Sequence, residues 1–255
     1  LENVRGAKTS PDVYATAMKV GKTIGKVPVL VGVCDGFVGN RMLAKRTREC
    51  GFMLEEGALP WQIDKVIYNF GFPMGPYAMG DMAGLDVGWR NRKAKFDSLT
   101  PREKACNIID KICEMGRFGQ KTGSGFYKYD EKRNATPDPF IEELIIKHSQ
   151  EVGIKRRTIT EQEIIERAIY SMINEGAKIL EEGIAARPLD IDVVWLFGYG
   201  FPIYLGGPMF YADTVGLKKV YDAILKYKDM VGAEYWTPSP LLEKLAKEGN
   251  GFYSK

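Results

Sequence analysis

Residues 54–85 read LEEGALPWQIDKVIYNFGFPMGPYAMGDMAGL, and residues 180–217 repeat the pattern with small insertions as LEEGIAARPLDIDVVWLFGYGFPIYLGGPMFYADTVGL. The two stretches share glycines and prolines, whose backbone requirements other residues meet poorly. The copies are too far apart in the chain to form a solenoid, whose repeats recur roughly every 20–50 residues. The repeat therefore predicts two homologous helical domains in a mainly α protein.

Each copy has an apolar helix face that one domain alone would cover poorly. The simplest arrangement that buries both faces pairs the copies about a pseudo-two-fold axis, as in a homodimer. We therefore expect a monomer that contains an internal pseudo-dimer.

The composition is that of a soluble globular protein, with 45% hydrophobic and 27% charged residues. No apolar run reaches the roughly 18 residues that a membrane span needs. The net charge of +3, with both signs interspersed, does not indicate a nucleic-acid surface. The basic cluster Arg90, Arg92, Lys93 and Lys95 is interpreted as a solvated surface segment, with a contact to a phosphorylated ligand as the alternative.

The sequence offers few groups for metal binding or nucleophilic catalysis. Its four cysteines have no Cys-x-x-Cys spacing and are interpreted as plain buried thiols. His148, the only histidine, lies in a polar helical segment and is interpreted as a surface residue. No metal site is predicted, because the acidic residues have no suitable His or Cys companions. The pairs Glu55-Glu56 and Glu181-Glu182 recur in both copies and are interpreted as solvated helix ends.

The first residues have α/β character. Residues 1–4 are compatible with the tail of a strand, and Ser10-Pro11-Asp12 predicts the start of a helix that Gly25 ends. Residues 28–33 form a short apolar run that is typical of a buried strand. We interpret residues 1–34 as the last piece of a parallel α/β sheet, and residues 35–134 and 135–255 as the two helical domains.

Glycine and proline mark the predicted helices. The pattern predicts helices over residues 37–56 and 60–70, one that starts at Pro76 and includes Asp81 and Leu85, and others over 101–115, 161–182 and 239–248. The glycine-rich segment GRFGQKTGSGFYKYD, residues 116–130, has neither the P-loop order nor the dinucleotide order of glycines. It is interpreted as a structured loop that leads into a strand at residues 125–129.

The junction after the apolar run is the best candidate for a binding site. It reads Cys34-Asp35-Gly36-Phe37-Val38-Gly39-Asn40-Arg41 and places Asn40 near the start of a long helix, at the carboxyl edge of a sheet, where α/β proteins bind ligands. Capping of the helix is the simpler role for an asparagine. We expect Asp35 or Gly36 to be the cap and Asn40 to face the cleft.

Four segments together resemble a known family: residues 6–43, residues 55–89, GRFGQKTGSGFYKYD, and GGPMFYADTVGL at residues 206–217. They are similar to the carboxyl-terminal part of the 3-hydroxyacyl-CoA dehydrogenase half of multifunctional fatty-acid β-oxidation enzymes, of the peroxisomal bifunctional type. The resemblance covers essentially the whole chain. It implies two helical domains like the C-terminal domain of 6-phosphogluconate dehydrogenase, preceded by a remnant of a truncated Rossmann domain.

The resemblance also implies an activity, the NAD-dependent oxidation of (3S)-3-hydroxyacyl-CoA to 3-ketoacyl-CoA. In that family a histidine removes the proton of the 3-hydroxyl, a glutamate holds the histidine, and an asparagine hydrogen-bonds near the reacting oxygen. The matching positions here are Glu2 and Asn40. The family's histidine and NAD loop would fall before Leu1, so we expect half of an active site, and no NAD-binding residue is assigned.

Other interpretations stay open at this point. The segment is either the acyl-CoA-facing part of an active enzyme or a non-catalytic helical assembly module, and a dehydrogenase of the 6-phosphogluconate type is a third, weaker possibility. The resemblance predicts a peroxisomal location, or a cytoplasmic one if the protein is bacterial. The terminal Ser254-Lys255 begins a Ser-Lys-Leu address but lacks the leucine.

Overall fold

The computed structural model describes residues 1–253 and is mainly helical, as predicted. The terminal Ser254-Lys255 pair lies outside the described residues. Among the described residues, no helix has the length and apolar character that crossing a membrane requires.

The helices and strands of the described residues follow one another along the chain. The helices are α1 (Pro11–Thr23), α2 (Gly39–Glu56), α3 (Pro60–Phe70), α4 (Pro76–Ala83), α5 (Leu85–Ala94), α6 (Pro101–Ala105), α7 (Ile108–Glu114), α8 (Pro139–Glu151), α9 (Glu161–Ile165), α10 (Ser171–Glu181), α11 (Pro188–Gly198), α12 (Pro208–Val215), α13 (Leu217–Val231), α14 (Ala233–Trp236) and α15 (Pro240–Glu248). The strands are β1 (Glu2–Val4), β2 (Val29–Val31), β3 (Tyr127–Tyr129) and β4 (Ala135–Pro137). Single turns of 3₁₀-helix occupy Phe96–Ser98, Gln120–Thr122 and Ile203–Leu205, and a π-helical turn occupies Glu166–Tyr170.

Two predicted helices are divided in the structure. The helix from Pro76 ends at Ala83, and Gly84, with φ 94°, separates it from α5, so the prediction that one helix carries both Asp81 and Leu85 is wrong. The helix predicted over residues 101–115 breaks at Cys106, whose ψ of 71° is not helical. Apolar spacing cannot report such breaks, because both flanking segments are themselves helical.

The described chain divides into two compact units. The first comprises residues 1–46 together with the segment from Glu166 onward, and the second comprises residues 47–165. The sequence-predicted domains 1–34, 35–134 and 135–255 stay a prediction.

The first unit begins with a short parallel strand pair. β1 pairs with β2 in parallel, with Glu2 opposite Val29 and Val4 opposite Val31, and α1 is the crossover between them. Both predicted strands are therefore confirmed. A parallel pair needs such a crossover, since a tight hairpin reverses the chain direction.

Each unit has its own apolar core. In the first unit, Trp195, Trp236 and Tyr227 are fully buried, and the rings of the latter two lie 4.9 Å apart. In the second unit, Phe52 and Ile63 are among the fully buried side chains.

Two buried aspartates organise the second unit. Asp64 on α3 accepts hydrogen bonds from the backbone N–H groups of Tyr77 (2.9 Å) and Ala78 (2.8 Å) at the start of α4, and from the Tyr127 hydroxyl (2.8 Å). Asp81 on α4 accepts from the N–H groups of Phe126 and Tyr127, both at 3.0 Å. These carboxylates tie α3 to α4 and α4 to the strand β3.

The first unit repeats this arrangement with its own residues. Asp192 on α11 accepts from the N–H groups of Met209 (2.7 Å) and Phe210 (3.1 Å) at the start of α12, and from the Tyr253 hydroxyl. Asp213 on α12 accepts from the N–H groups of Phe252 (2.7 Å) and Tyr253 (2.9 Å). The same set of bonds therefore closes both copies.

The bonds also extend the internal repeat beyond the segments that the sequence analysis matched. Gly-x-Gly-Phe-Tyr occurs at residues 123–127 and again at 249–253. Its second glycine is required by packing, because a Cβ on Gly125 would lie 2.1 Å from Asp81 Oδ1, and one on Gly251 would lie 2.5 Å from Asp213 Oδ2. We refer to these two segments as the closing loops.

Burial changes the acidity of the aspartates that receive the tyrosine hydroxyls. It raises the pKa of Asp64 to about 6, against the lowering effect of the hydrogen bonds to Tyr77, Tyr127 and Ala78. Burial raises the pKa of Asp192 to about 6 as well. Both values lie above the value of about 3.9 that an aspartate has in an unfolded chain.

This difference predicts a pH dependence of stability. Between about pH 4 and pH 6 the folded state holds protons that the unfolded state has released, so the free energy of unfolding falls as the pH rises through that window. Each carboxyl contributes a slope of up to about 1.4 kcal/mol per pH unit. We expect urea unfolding, followed by far-UV circular dichroism from pH 4 to 7, to show this fall in the wild type. The fall should be smaller in the Asp64→Asn/Asp192→Asn double variant, which keeps Asp81, whose pKa burial also raises.

Asp229→Asn is the matched control, because Asp229 is exposed and should leave the profile unchanged. A wild-type profile that rises with pH relative to the double variant would contradict the prediction.

Candidate functional site

Two glycines shape the turn between β2 and α2. Gly32 N–H donates to the Ile184 carbonyl at 2.7 Å. Gly36 has φ 75°, and a Cβ there would lie 2.8 Å from the backbone nitrogen of Arg41, so only glycine fits. The chain then enters α2 at Gly39.

A carboxylate from β1 caps this helix. Glu2 Oε1 accepts hydrogen bonds from the backbone N–H groups of Val38 (2.8 Å) and Gly39 (3.3 Å). A negative charge is favourable there, because unpaired N–H groups and the helix dipole make a helix N-terminus positive. The sequence indicated a cap from Asp35 or Gly36 and did not reveal Glu2, because only the parallel pairing of β1 with β2 brings Glu2 to this end of the helix.

The second oxygen of Glu2 stays available. No hydrogen bond to Glu2 Oε2 is found among residues 1–253, and the side chain is only half-buried. A carboxylate fixed through one oxygen can accept an N–H donor through the other.

Asn40 is exposed, one residue into α2. Its Oδ1 accepts a hydrogen bond from the Tyr199 hydroxyl at 2.9 Å, and its Nδ2 donates to no other residue of the described chain. The asparagine therefore does not cap its own helix and presents N–H donors outward.

Tyr199 follows α11 directly, and the phenol end of its ring contacts the start of α2. A Cβ on Gly39 would lie 2.2–2.4 Å from the ring and hydroxyl of Tyr199, so the glycine is what allows this contact. The ring also packs on Trp195, with centroids 4.7 Å apart. Trp195 is fully buried and donates its indole N–H to Met42 Sδ at 3.2 Å.

An ion-pair network fixes the residue after Asn40. Arg41 Nε donates to Glu175 Oε1 at 2.7 Å, and its terminal nitrogens donate to both oxygens of Glu182 at 2.5 and 2.7 Å. The hydrogen bonds that Arg41 donates to Glu182 are the main cause that raises the pKa of Arg41. A two-pronged arginine–carboxylate pair sets geometry as well as charge, and this one holds the first turn of α2 to α10.

His148 is not the surface residue that the sequence indicated. Its side chain is 1% exposed, and its Nε2 lies 2.7 Å from Oε1 of the equally buried Glu55. The other ring nitrogen, Nδ1, is buried without a hydrogen-bond partner. α8 looks polar because its exposed face is polar, whereas His148 lies on the covered face.

The acidic pairs differ between the copies. Glu181 and Glu182 are exposed, as expected of a helix end. Glu55 is buried, and Glu56 pairs with Arg102 at 2.6 Å, so the interpretation as solvated residues is wrong for the first copy. The sequence could not separate the two cases, because the same four letters occur in both.

The basic cluster is largely engaged within the second unit. Arg92 donates to Asp110 Oδ2 at 2.9 Å and to the Glu103 carbonyl, and the Lys93 ammonium lies 3.5 Å from the centroid of the Trp89 ring. These contacts do not favour the phosphorylated-ligand alternative.

The cysteines are free thiols, as interpreted from the sequence. Cys50 and Cys113 are buried, but Cys34 and Cys106 are partly exposed, so the interpretation as buried thiols is wrong for these two. Burial raises the pKa of the Cys113 thiol to about 12, so this cysteine is not a nucleophile.

The described residues provide no site for a metal or a dinucleotide. Across residues 1–253, no group of three or more His, Cys, Asp or Glu side chains is placed to hold a metal ion. The β1–α1–β2 segment is a two-stranded sheet, and the turns of this sequence have no Gly-x-Gly-x-x-Gly order. The residues present therefore do not fit NAD.

Comparison with protein families identifies the class. The sequence model described as 3-hydroxyacyl-CoA dehydrogenase, C-terminal domain, matches twice, over residues 36–129 and 164–253. Fold and sequence thus define the class: a helical protein built from two copies of one dehydrogenase domain. The chain belongs to the 3-hydroxyacyl-CoA dehydrogenase family.

Individual relatives agree. The chain is 49% identical over 264 aligned residues to the peroxisomal bifunctional enzyme of Danio rerio, which covers 98% of this chain and 37% of that protein. It is similar to the crystal structure of the dehydrogenase part of multifunctional enzyme 1 from C. elegans, with a TM-score of 0.72, 33% identity, and coverage of 95% of this chain and 55% of that one. The chain thus spans little more than a third of the length of the curated relatives it matches.

The fold also occurs in a more distant enzyme. The chain is similar to 3-hydroxybutyryl-CoA dehydrogenase from Escherichia coli, with a TM-score of 0.75, 20% identity, and coverage of 97% of this chain and 67% of that one. At this identity the likeness concerns the fold alone.

Sequence reasoning missed Tyr199 and the closing loops. The sequence does contain a signal for the loops, because Gly-x-Gly-Phe-Tyr occurs twice in the chain. Tyr199 left a weaker signal, namely that Gly-Tyr-Gly-Phe-Pro in the second copy corresponds to Asn-Phe-Gly-Phe-Pro in the first. Its contact with Asn40 joins residues 159 positions apart, which only the folded chain reveals.

The buried His148–Glu55 pair predicts a structural role for the histidine. His148→Ala leaves the Glu55 carboxylate buried without its imidazole, and we expect a loss of about 3–5 kcal/mol in the free energy of unfolding, measured by urea titration. Lys147→Ala, at an exposed neighbouring position, should change it by less than about 0.5 kcal/mol. Unchanged stability in His148→Ala would show that the pair does not hold the second unit together.

Proposed function

We propose that this chain is the acyl-CoA-facing part of an enzyme that oxidises (3S)-3-hydroxyacyl-CoA to 3-ketoacyl-CoA in fatty-acid β-oxidation, with NAD as the hydride acceptor. The observation that carries the proposal is the cluster of Glu2, Asn40 and Tyr199 at the start of α2. The double match to the dehydrogenase family supports it. The chain's length relative to its relatives supports an active site completed by other parts of the protein.

Glu2 is proposed to orient the base. Its Oε1 is fixed by the Val38 and Gly39 amides, so its Oε2 can accept the N–H of the imidazole that the family resemblance predicts. A carboxylate in this position fixes the tautomer and orientation of the ring and stabilises the imidazolium that forms when the ring takes the substrate's proton.

Asn40 is proposed to act on the reacting oxygen. Proton removal from the 3-hydroxyl places negative charge on that oxygen, and the outward Nδ2–H group of Asn40 is a suitable donor to it. Such a donor is most effective when it is already oriented before the charge develops.

NAD binding is proposed to reside outside this chain, because the described residues do not fit it. The chemistry that NAD would supply there is an acceptor for the hydride of the substrate's 3-carbon. The role left to this chain is to hold the acyl-CoA, the base and the charged oxygen in position.

The location and the assembly are also proposals. A peroxisomal location is supported by the Danio rerio relative, named a peroxisomal bifunctional enzyme, and by an Arabidopsis thaliana relative, named a peroxisomal fatty acid beta-oxidation multifunctional protein. The domains 1–34, 35–134 and 135–255, and a monomer whose two copies replace two subunits, are supported by the internal repeat. Light scattering should then give a monomer mass.

A direct assay tests the proposed activity. In the full-length protein, NADH formation from a (3S)-3-hydroxyacyl-CoA should be readily measured at 340 nm. The 255-residue chain alone should form none, because it does not bind NAD. A full-length protein without turnover would favour the alternative of a non-catalytic helical assembly module.

Asn40→Ala in the full-length protein should lower kcat about 100- to 1,000-fold, because it removes one preorganised donor to the charged oxygen. Asn91→Ala is the matched control, since Asn91 is exposed on α5 and its loss should leave kcat unchanged. Circular dichroism should show both variants folded. A fully active Asn40→Ala variant would remove Asn40 from the mechanism.

A further inference from the structure

The side-chain amide of Asn40 has two ends of opposite character. Nδ2 donates hydrogen bonds, whereas Oδ1 accepts them and repels another oxygen. An unrestrained amide can present either end, and only one of them stabilises a charged oxygen. The proposed role of Asn40 therefore requires a group that selects the orientation.

In the structure the Tyr199 hydroxyl meets the Oδ1 end of this amide. It lies 2.9 Å from Oδ1, and its single proton is donated to that atom, which leaves both Nδ2 protons outward. Burial, with a further effect of Glu2, raises the pKa of Tyr199 to about 12. The hydroxyl is therefore protonated, and remains a donor, at neutral pH.

The tyrosine is held firmly enough to act in this way. Its ring contacts both the backbone of Gly39 and the indole of Trp195. Trp195 is in turn fixed to Met42, on the same helix as Asn40. Donor and acceptor thus belong to one rigid cluster within the first unit.

The two sequence copies divide this task between them. The first-copy counterpart of Tyr199 is Phe70, which has no hydroxyl. The second-copy counterpart of Asn40, aligned through the Leu-Glu-Glu-Gly motif, is Glu166, which is buried and accepts from the Tyr227 hydroxyl at 2.5 Å. Of these two pairs of equivalent positions, one position carries an asparagine and one carries a hydroxyl, and these two side chains are hydrogen-bonded to each other.

We propose that Tyr199 is a positioning residue for Asn40: its hydroxyl occupies Oδ1 and so directs Nδ2 to the reacting oxygen of the substrate. The proposal rests on the proposed dehydrogenase function and deepens it. It assigns a task to the second helical copy, which supplies the group that orients the amide of the first.

A kinetic double-mutant cycle in the full-length protein tests the proposal. Tyr199→Phe keeps the ring and removes only the hydroxyl. It should lower kcat about tenfold, the effect of one neutral hydrogen bond, and change KM less than about twofold. In the Asn40→Ala background the same substitution should have no further effect on kcat, because there is no amide left to orient.

Tyr68→Phe is the matched control, because Tyr68 is 60% exposed in α3 and should leave kcat and KM unchanged. The proposal is overturned if Tyr199→Phe has wild-type kcat, or if it lowers kcat by the same factor with and without Asn40. The first result means that the hydroxyl is idle, and the second that it acts by another route.

A second measurement does not depend on activity. The Asn40 side-chain amide is observed by NMR in the 255-residue chain labelled with ¹⁵N-asparagine and is assigned by its absence in Asn40→Ala. Its resonance should move in Tyr199→Phe and stay in place in Tyr68→Phe. Since the ring is retained, a shift reports the lost hydroxyl, and an unmoved resonance overturns the contact.

The outcomes of these experiments distinguish the proposed function from the positioning role of Tyr199. A wild-type full-length protein without turnover overturns the proposed function. Normal turnover together with an inert Tyr199→Phe overturns only the positioning role.

Discussion

The fold depends on carboxylates, three of them buried, that accept backbone N–H groups from other elements of the chain. Asp64 and Asp192 each hold the start of the following helix, and Asp81 and Asp213 each hold a closing loop. Helix starts and loops carry N–H groups with no partner of their own, and burying them unpaired is costly. A single carboxylate satisfies two at once, so short helices can pack closely despite their many ends.

The candidate site uses the same chemistry in a different place. Glu2 satisfies the first amides of α2 through one oxygen, but its other oxygen and the Asn40 amide face outward. In the interior, such a carboxylate uses its oxygens to close a helix end. At this site it leaves polar groups available at the surface. Glu175, Glu182 and Tyr199, all from the second half of the chain, then fix this end of α2.

Duplication explains why such a division is possible. Both copies keep the residues that closure requires, because each unit must satisfy its own buried amides. Positions outside that set are free to differ, as Phe70 and Tyr199 do. The Leu-Glu-Glu-Gly motif occurs in both copies, but its first glutamate differs in environment between them. Glu55 is buried against His148, whereas Glu181 is exposed. Equivalent positions in sequence are not equivalent in environment.

The sequence by itself determined the helical class, the duplication, several helix bounds and the strands β1 and β2, because these follow from local spacing and from glycines and prolines that have few substitutes. The family followed from the resemblance of whole segments to known proteins. Tertiary structure alone decided that Glu2 caps α2, that His148 is buried and that Tyr199 meets Asn40. Each of these contacts joins residues far apart in the chain. Local patterns carry information about neighbours within a few residues, whereas the partner of a polar side chain is chosen only when packing brings distant segments together.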